Sequence, residues 1–438
     1  MRSWRVHSAR TPLGGQVMVE PQVSPRHVLM IKSHSLGVGD LLRSSAAWRV
    51  MNNAWPGVEL HLLFLSKHPG YPTQDLIAAH HLLSSAHFIT LREGSPQAPS
   101  AKRVPMSRIF QQALEVCEQQ GIDWIIDFEM NGLRTAWLTW QLQRAMGQGQ
   151  KRAGQRSLPA ASCLHAVQTL GVNQFWPRGC FYRQSSVSLT RFMRQEGLSA
   201  PMDYTLRDFV VLAALGLRRQ ETPIELQAGA ASLARAQALL SAAFPQVGSG
   251  PKRPLWGLNI GCGTPDALGK RPPMADLVQS LVALAQHHDF DLVLTGAPFE
   301  REVNEDFIEK FSQAFSQAFS QALSQALSQA FDPVLDEQPV AALSAPRLCN
   351  AAGTGTLEDL SGLIVSCECF VSTDSGPYHM AVALKVPTLV WFVIDQPASY
   401  HDTPWCARVV NPSAQGVLEA VSELRRRALE NRSFAQWV

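Results

Sequence analysis

Residues 371–392 read Val-Ser-Thr-Asp-Ser-Gly-Pro-Tyr-His-Met-Ala-Val-Ala-Leu-Lys-Val-Pro-Thr-Leu-Val-Trp-Phe. Phe370 and Val371 close an apolar segment that suits a buried strand. Residues 378–384 suit a short helix and residues 388–392 a second buried strand. The polar cluster Thr373-Asp374-Ser375-Gly376-Pro377 therefore falls at the carboxyl end of a strand and the amino end of a helix. Pro377 fits the first helical turn, where its missing N–H costs nothing. Gly376 lets a ligand approach the backbone closely. Unpaired N–H groups and the positive end of the helix dipole make such a junction a site for an anion such as a diphosphate. His379, in the first turn, reaches the same spot. An ordinary strand-to-helix turn capped by Asp374 or Ser375 has the same local appearance, so the surrounding chain has to decide.

Upstream, the same unit recurs. Residues 255–260 suit a strand, followed by a loop from Gly261 through Thr264 to Lys270-Arg271-Pro272-Pro273, and residues 274–287 a helix. A strand at 291–294 ends in Thr295-Gly296-Ala297-Pro298-Phe299-Glu300. The turn Ala351-Ala352-Gly353-Thr354-Gly355-Thr356 precedes a helix at 357–365. Nearer the start, a strand at 27–32 runs into the loop Gly37-Val38-Gly39-Asp40, a helix at 41–54 and a strand at 58–65. Gly37-x-Gly39 lacks the third glycine of a dinucleotide fingerprint, which disfavours a dehydrogenase. Asp40, at the loop-to-helix junction, suits either a helix cap or a carboxylate facing the space beyond the strand ends. Residues 75–83 suit a helix, 87–90 a strand, 92–108 a loop and 109–120 a helix closed by Gly121. A buried strand at 123–128 ends in Glu129-Met130-Asn131-Gly132-Leu133-Arg134. A helix at 135–146 and a basic turn, Lys151-Arg152-Ala153-Gly154, follow.

Prolines break up residues 155–250, with helices expected at 186–196 and 230–243. The chain ends in a helix at 414–431 whose Arg425-Arg426-Arg427 suits the negative helix end, or alternatively an acidic membrane surface. Alternating strands and helices imply α/β architecture with open parallel sheets and function at their carboxyl edges. The expected organisation is a disordered arm at 1–25, a Rossmann-like unit at 26–222, a second at 223–411 and a terminal helix at 412–438. Residues 311–331 repeat Phe/Leu-Ser-Gln-Ala five times before Phe331. That spacing either extends the preceding helix or marks a tolerated low-complexity insertion or partner surface.

With 38 basic and 36 acidic residues among 438, charge gives no argument for a nucleic-acid partner. The eight cysteines form no Cys-x-x-Cys pair, as expected of reduced thiols in a cytoplasmic protein rather than of a metal knuckle. No apolar run reaches membrane-spanning length, and the first 25 residues lack the apolar core of a secretory signal.

Taken in order along residues 27–395, the motifs resemble those of the ADP-heptose–lipopolysaccharide heptosyltransferase family, glycosyltransferase family nine. Gly39-Asp40-Leu41 is similar to that family's amino-terminal Gly-Asp motif. Asn131-Gly132-Leu133-Arg134 and Arg152-Ala153-Gly154 resemble its Gly-x-x-Arg and Arg-x-Gly signals. Gly261 with Lys270-Arg271-Pro272 resembles the segment ending in Lys-x-Trp-Pro, and residues 295–300 its Gly-x-Pro-x-Glu turn. Asp374-Ser375-Gly376-Pro377-Tyr378-His379 matches the Asp-Ser/Thr-Gly-Pro-x-His signature. Departures occur at Ser44-Ser45-Ala46, where the family shows Thr-Pro, and at Arg271, where it shows Trp.

The resemblance implies a GT-B architecture, two Rossmann-like domains facing across a cleft, and metal-independent, inverting transfer from a nucleotide sugar, with no cofactor. It gives Asp40 the role of general base and Lys270 that of diphosphate stabiliser. Gly261, Thr264, Lys270, Glu300, Thr356, Asp374, Ser375, Gly376, Pro377 and His379 would bind the donor, in the first instance ADP-heptose. Lys32, Gly39 and Arg134 would lie on the acceptor side. The implied setting is the cytoplasm, with room for peripheral contact with the inner membrane. Lipopolysaccharide core, another glycan and a protein are all open as acceptors. A scaffold that has lost turnover and a nucleotide-sugar epimerase are the rival functions.

Overall fold

Two six-stranded sheets, with every neighbouring pair of strands parallel, carry the chain. In the computed structural model they are seen within residues 24–33, 37–66, 73–93, 102–154, 167–219, 222–245, 253–261, 269–330 and 345–430, the described residues. The expected arm at 1–25 lies almost wholly outside them, as does Thr264.

The first sheet is built from β1 (His27–Ser33), β2 (Glu59–Ser66), β3 (Ser85–Thr90), β6 (Trp124–Asp127), β7 (Gln168–Val172) and β8 (Gln184–Ser186). A small antiparallel ribbon, β4 (Arg92–Glu93) with β5 (Lys102–Arg103), interrupts the expected loop after β3. The spatial order is β3-β2-β1-β6-β7-β8. The second sheet uses β9 (Leu255–Asn259), β10 (Asp291–Thr295), β11 (Leu348–Asn350), β12 (Cys369–Thr373), β13 (Thr388–Phe392) and β14 (Cys406–Val410), ordered β11-β10-β9-β12-β13-β14. With the ribbon left aside, each half has the doubly wound order 3-2-1-4-5-6. In such a sheet the chain runs one way from the first strand and the other way from the fourth, leaving a crevice between their carboxyl ends. Those crevices lie between β1 and β6 in one half and between β9 and β12 in the other.

Helices fill both faces. They are α1 (Val38–Ala54), α2 (Thr73–Ala78), α3 (Met106–Gln119), α4 (Arg134–Gly154), α5 (Leu189–Gln195), α6 (Arg207–Leu212), α7 (Ala230–Ala243), α8 (Met274–His287), α9 (Arg301–Ala330), α10 (Leu357–Val365), α11 (Gly376–Ala383) and α12 (Ala414–Glu430). The apolar side chains form three layers. An outer core under α3 and α4 includes Leu29, Leu63, Ile109 and Leu138. Another under α8, α9 and α12 includes Leu258, Leu281, Phe307 and Val421. The middle core is shared: Met30, Leu62 and Trp48 of the first half are continuous with Phe370, Tyr378 and Met380 of the second. Here α1 packs against α11. Consequently α1 is buried from Leu41 through Ala47 on every side, Arg43, Ser44 and Ser45 included, and not along one stripe only. That is the pattern of a helix enclosed between layers.

Most of the expected elements are present, and two readings change. The basic turn at 151–154 is the end of α4. The helix expected at 186–196 is shorter, because Gln184–Ser186 pairs with β7 as the edge strand β8. The terminal arginines are engaged within the protein: Arg426 pairs with Glu423 and Glu430, and Arg427 donates to Glu423 and to the carbonyl of Cys406. No helix among the described residues is long and apolar enough to cross a membrane.

The Phe/Leu-Ser-Gln-Ala repeat continues α9 without a break. Its four-residue spacing overshoots the 3.6-residue turn, so the apolar stripe drifts around the helix. Phe311 and Phe315 are buried at 1% and 5% exposure, whereas Phe319 has rotated out to 41%. Phe311→Ala is therefore expected to cost about 3–5 kcal/mol and lower the melting temperature. Phe319→Ala should cost well under 1 kcal/mol by comparison. Calorimetric unfolding of the two variants checks the contrast, and equal losses would show that the stripe stays packed beyond residue 315.

Candidate active site

The crevice of the first half is closed at its floor by backbone and carboxylate contacts. Phe128 N–H donates to the carbonyl of Ile31 at 3.0 Å, and Ser33 N–H to Glu129 Oε1 at 2.7 Å. Beyond this floor Gly37 holds the N-cap position of α1, so Asp40 occupies the first helical turn and is not the cap residue. Asp40 lines a cavity of about 220 Å³ together with Lys32, Arg43, Glu129, Arg207 and Asp208. Lys32, at the end of β1, is buried in an ion pair with Asp208 (2.8 Å). Arg207 lies over the ring of Tyr204 at 4.0 Å from its centroid. Arg134 begins α4, is exposed and is not among the residues lining that cavity.

The second crevice is closed by side chains. Thr373 Oγ1 donates to the carbonyl of Gly261 at 2.6 Å, and Ser375 Oγ to Asn259 Oδ1 at 3.1 Å. Ser375 is the N-cap residue of α11, with Gly376 and Pro377 opening the helix. Lys270 Nζ donates to Asp374 Oδ2 at 2.8 Å while its side chain stays 41% exposed, so the ammonium is held yet faces outward. Glu300 is buried and its carboxylate receives the Ala297 N–H at 2.7 Å. A side chain at Gly261 would collide with that carboxylate, so glycine here lets Glu300 lie against the backbone. Thr356 is the exposed N-cap of α10, in a reciprocal capping box with Asp359.

The two crevices meet. A Cβ built at Gly376 would lie 3.4 Å from Cβ of Val38, and one at Gly39 only 2.0 Å from the His379 ring. The amino ends of α1 and α11 thus converge, with Asp40 in the first turn of one and Asp374 just before the other. Both carboxylates oppose the positive helix ends that approach each other here. Beneath them lies Arg43, buried, donating to the carbonyl of Ser399 at 2.8 Å and facing Asp203 and Thr205. Burial lowers its pKa, while Asp203, Asp40 and Asp374 pull it back up.

His379 Nδ1 and His401 Nε2 are 2.9 Å apart, so one ring donates to the other. Desolvation is the main cause that holds both imidazoles far below their ordinary pKa. The Arg43 guanidinium adds to this at both, and Lys270 at His379. The pair is neutral at physiological pH. Tyr378 hydroxyl accepts the backbone N–H of His401 at 2.8 Å and fixes this layer to α11.

Residue identity alone did not point to Arg43, Asp208 or His401. Arg43 follows Asp40 by one helical turn, a spacing that would have flagged it. Asp208, in the first turn of the short helix α6, and His401, in an irregular segment, have no motif around them. Deeper in the first half, Arg178 and Asp127 form a wholly buried pair at 2.8 Å, joined by Tyr182 hydroxyl at 2.6 Å. Burial pushes the Asp127 carboxyl up to about 6, with Arg178 and Tyr182 pulling it down.

Gly39→Ala should drive a methyl group into the His379 ring, which His401 and Arg43 hem in. We expect a loss of about 1–3 kcal/mol, as for other overpacked cores, together with disturbed histidine resonances. A variant with wild-type melting temperature and spectrum would mean that the α1–α11 contact yields easily.

Comparison with known proteins bears on the whole chain. Residues 335–426 match the family model for glycosyltransferase family 9 (heptosyltransferase). No curated protein sequence matches the chain. Among solved structures, the family 9 glycosyl transferase of Veillonella parvula superposes with a TM-score of 0.59 at 14% identity, covering 93% of this chain and 98% of that one. ADP-heptose lps heptosyltransferase II of E. coli gives 0.54 at 14% identity, covering 92% and 99%. The E. coli heptosyltransferase WaaC, solved with ADP-2-deoxy-2-fluoro heptose, gives 0.52 at 14%, covering 91% and 99%. The family-nine resemblance of the motifs is thus met twice over, by a family-model match in the second half and by a GT-B fold shared along nearly the whole chain with family 9 glycosyltransferases.

Proposed function

We propose that the chain is an inverting heptosyltransferase that moves heptose from ADP-heptose to a glycan acceptor, in the first instance lipopolysaccharide core, without a catalytic metal. One observation carries this reading: Asp40 and the Lys270–Asp374–His379 cluster belong to different sheets yet converge where α1 meets α11. On one side, the amino end of α11 and the Lys270 ammonium offer positive charge to a departing diphosphate. Lys270 rests on Asp374, so an incoming diphosphate replaces or shares a contact already formed. Glu300 can accept hydrogen bonds from ribose or sugar hydroxyls, with Gly261 leaving it room. Thr356 contributes through its cap at the start of α10; Thr264, outside the described residues, keeps its proposed donor role from the motif alone.

On the other side, the acceptor occupies the cavity beside Asp40, which Lys32 also lines; Gly39, packed against His379, and the exposed Arg134 lie outside that lining. Asp40 takes the proton of the attacking hydroxyl as it adds to the anomeric carbon from the face opposite the diphosphate. One displacement inverts the centre and forms no glycosyl-enzyme. Neutral His379 and His401 keep further positive charge away from Lys270 and Arg43 and leave a ring N–H to donate toward the substrate.

The test is donor titration followed by turnover. ADP-heptose should bind in EDTA in preference to UDP or GDP, and transfer to a lipopolysaccharide-core acceptor should proceed in the same buffer. Lys270→Ala should lower kcat about 10²–10³-fold, the cost of one lost oxyanion-type donor. Asp40→Asn should keep donor affinity and abolish transfer. Normal transfer by Asp40→Asn excludes it as the base, and failure of the wild type to bind any nucleotide sugar overturns the reading. Isomerised donor without transfer would identify an epimerase.

A further inference from the structure

At the edge of the first sheet opposite the candidate active site, two histidines and a glutamate converge. His27 opens β1, and Glu59 and His61 open β2 beside it, in the register His27↔Glu59 and Leu29↔His61. Residues 59 and 61 are two apart on one strand and so share a sheet face. Their donor atoms and that of His27 all lie within 4.8 Å of one another. His27 Nδ1 is 3.6 Å and His61 Nε2 3.9 Å from the same oxygen, Glu59 Oε2.

We propose that His27 Nδ1, the Glu59 carboxylate and His61 Nε2 form a binding site for a divalent transition-metal ion of the zinc type. The site is independent of the proposed transferase activity.

Three observations carry the assignment. First, His27 Nδ1 and His61 Nε2 are both buried atoms with no hydrogen-bond partner among the described residues. A buried polar atom left unpaired is costly, so two such atoms aimed into one cluster call for a partner. Second, the outer side of His61 is already organised: Nδ1 meets Ser85 Oγ at 2.8 Å, which in turn meets His87 Nε2 at 2.8 Å. With Nδ1–H donated to Ser85, the Nε2 lone pair points into the cluster. This is the outer-shell arrangement that orients a ligating histidine. Third, the geometry is within reach. Tetrahedral bonds of about 2.0–2.1 Å place ligand atoms about 3.3 Å apart; the two histidine–glutamate separations of 3.6 and 3.9 Å are slightly longer, and the two histidine nitrogens lie within 4.8 Å, so a modest inward turn of the side chains closes the site.

Two imidazoles and one carboxylate suit zinc, nickel, copper or iron and disfavour calcium and magnesium, which take all-oxygen sets. The Glu59 side chain is 54% exposed, so the ion has an entrance from solvent and a water can complete the fourth position. A cation here would tie the starts of β1 and β2 together.

The test uses the full-length protein, stripped with EDTA and dialysed metal-free. Titration with Zn²⁺ against a chromophoric chelator should show one equivalent bound and a raised melting temperature. Glu59→Gln alters an exposed side chain and should fold normally, with Zn²⁺ affinity at least tenfold weaker. His61→Gln should lose the equivalent altogether. No binding by the wild type overturns the site. So does an equivalent that persists undiminished in both variants, since that ion would belong to thiols elsewhere. Donor-binding and transfer assays read the other crevices and stay interpretable whichever way this one falls.

Discussion

The contact between α1 and α11 is the constraint on which the rest of the molecule depends. Each helix begins at the crevice of its own sheet, and the two amino ends meet at Val38–Gly376 and Gly39–His379. This contact makes a single middle core out of residues from both halves. It explains why α1 is buried all round and why a charged residue, Arg43, can lie inside it. Both terminal nitrogens of that guanidinium find an oxygen from elsewhere in the chain. A buried cation is tolerated on those terms and not otherwise.

Bringing two helix amino ends together concentrates positive potential, which by itself opposes the contact. The sequence answers with carboxylates at the same place, Asp40 in the first turn of α1 and Asp374 before α11. Lys270 and Arg43 then sit among these charges, and add to the burial that holds the pKa values of the histidine pair low. The arrangement is balanced but not saturated, because Lys270 remains partly exposed. Under the proposed function, a diphosphate entering such a place would meet an ammonium and a helix end already in position, with the Lys270–Asp374 contact the one to be shared. The same preorganisation limits what the site can change without loss, as the crowding at Gly39 shows.

Much of this was legible in the sequence where periodicity was strong. Helices at 230–243, 274–287 and 357–365 and the strand at 388–392 coincide with the expected spans, because long amphipathic or wholly apolar runs leave few alternatives. Short edge strands were not legible. Gln184–Ser186 and Leu348–Asn350 are three residues each, and their strand geometry comes from neighbours, not from their own side chains. The site divides along the same line. Residues within motifs, such as Asp374 and Lys270, can be found by spacing. Arg43, Asp208 and His401 come together only through the fold: Lys32 pairs with a residue 176 positions away, and Arg43 reaches one 356 positions away. No local pattern records such a pairing. Thr356 shows the converse, since a cap and a ligand-facing threonine look alike in sequence and only its bonds to Asp359 reveal the cap.

A parallel sheet also separates tasks between its two edges. Helix amino ends and loops gather at the carboxyl edge, where chemistry is grafted, while the amino edge holds the starts of strands. His27, Glu59 and His61 sit at that second edge, one strand's length from Lys32 and Ser33 on β1. They are too far away to touch a substrate, yet β1 leads directly into the glycine loop and α1. Anything that fixes the start of β1 against β2 therefore stabilises the strand that positions Asp40 and, through α1, the contact with α11. Coupling of this kind acts on how often the first sheet frays and not on the reaction itself. It would appear as thermal stability with the catalytic constants of the folded enzyme unchanged, which separates a clamp at the amino edge from a participant at the carboxyl edge.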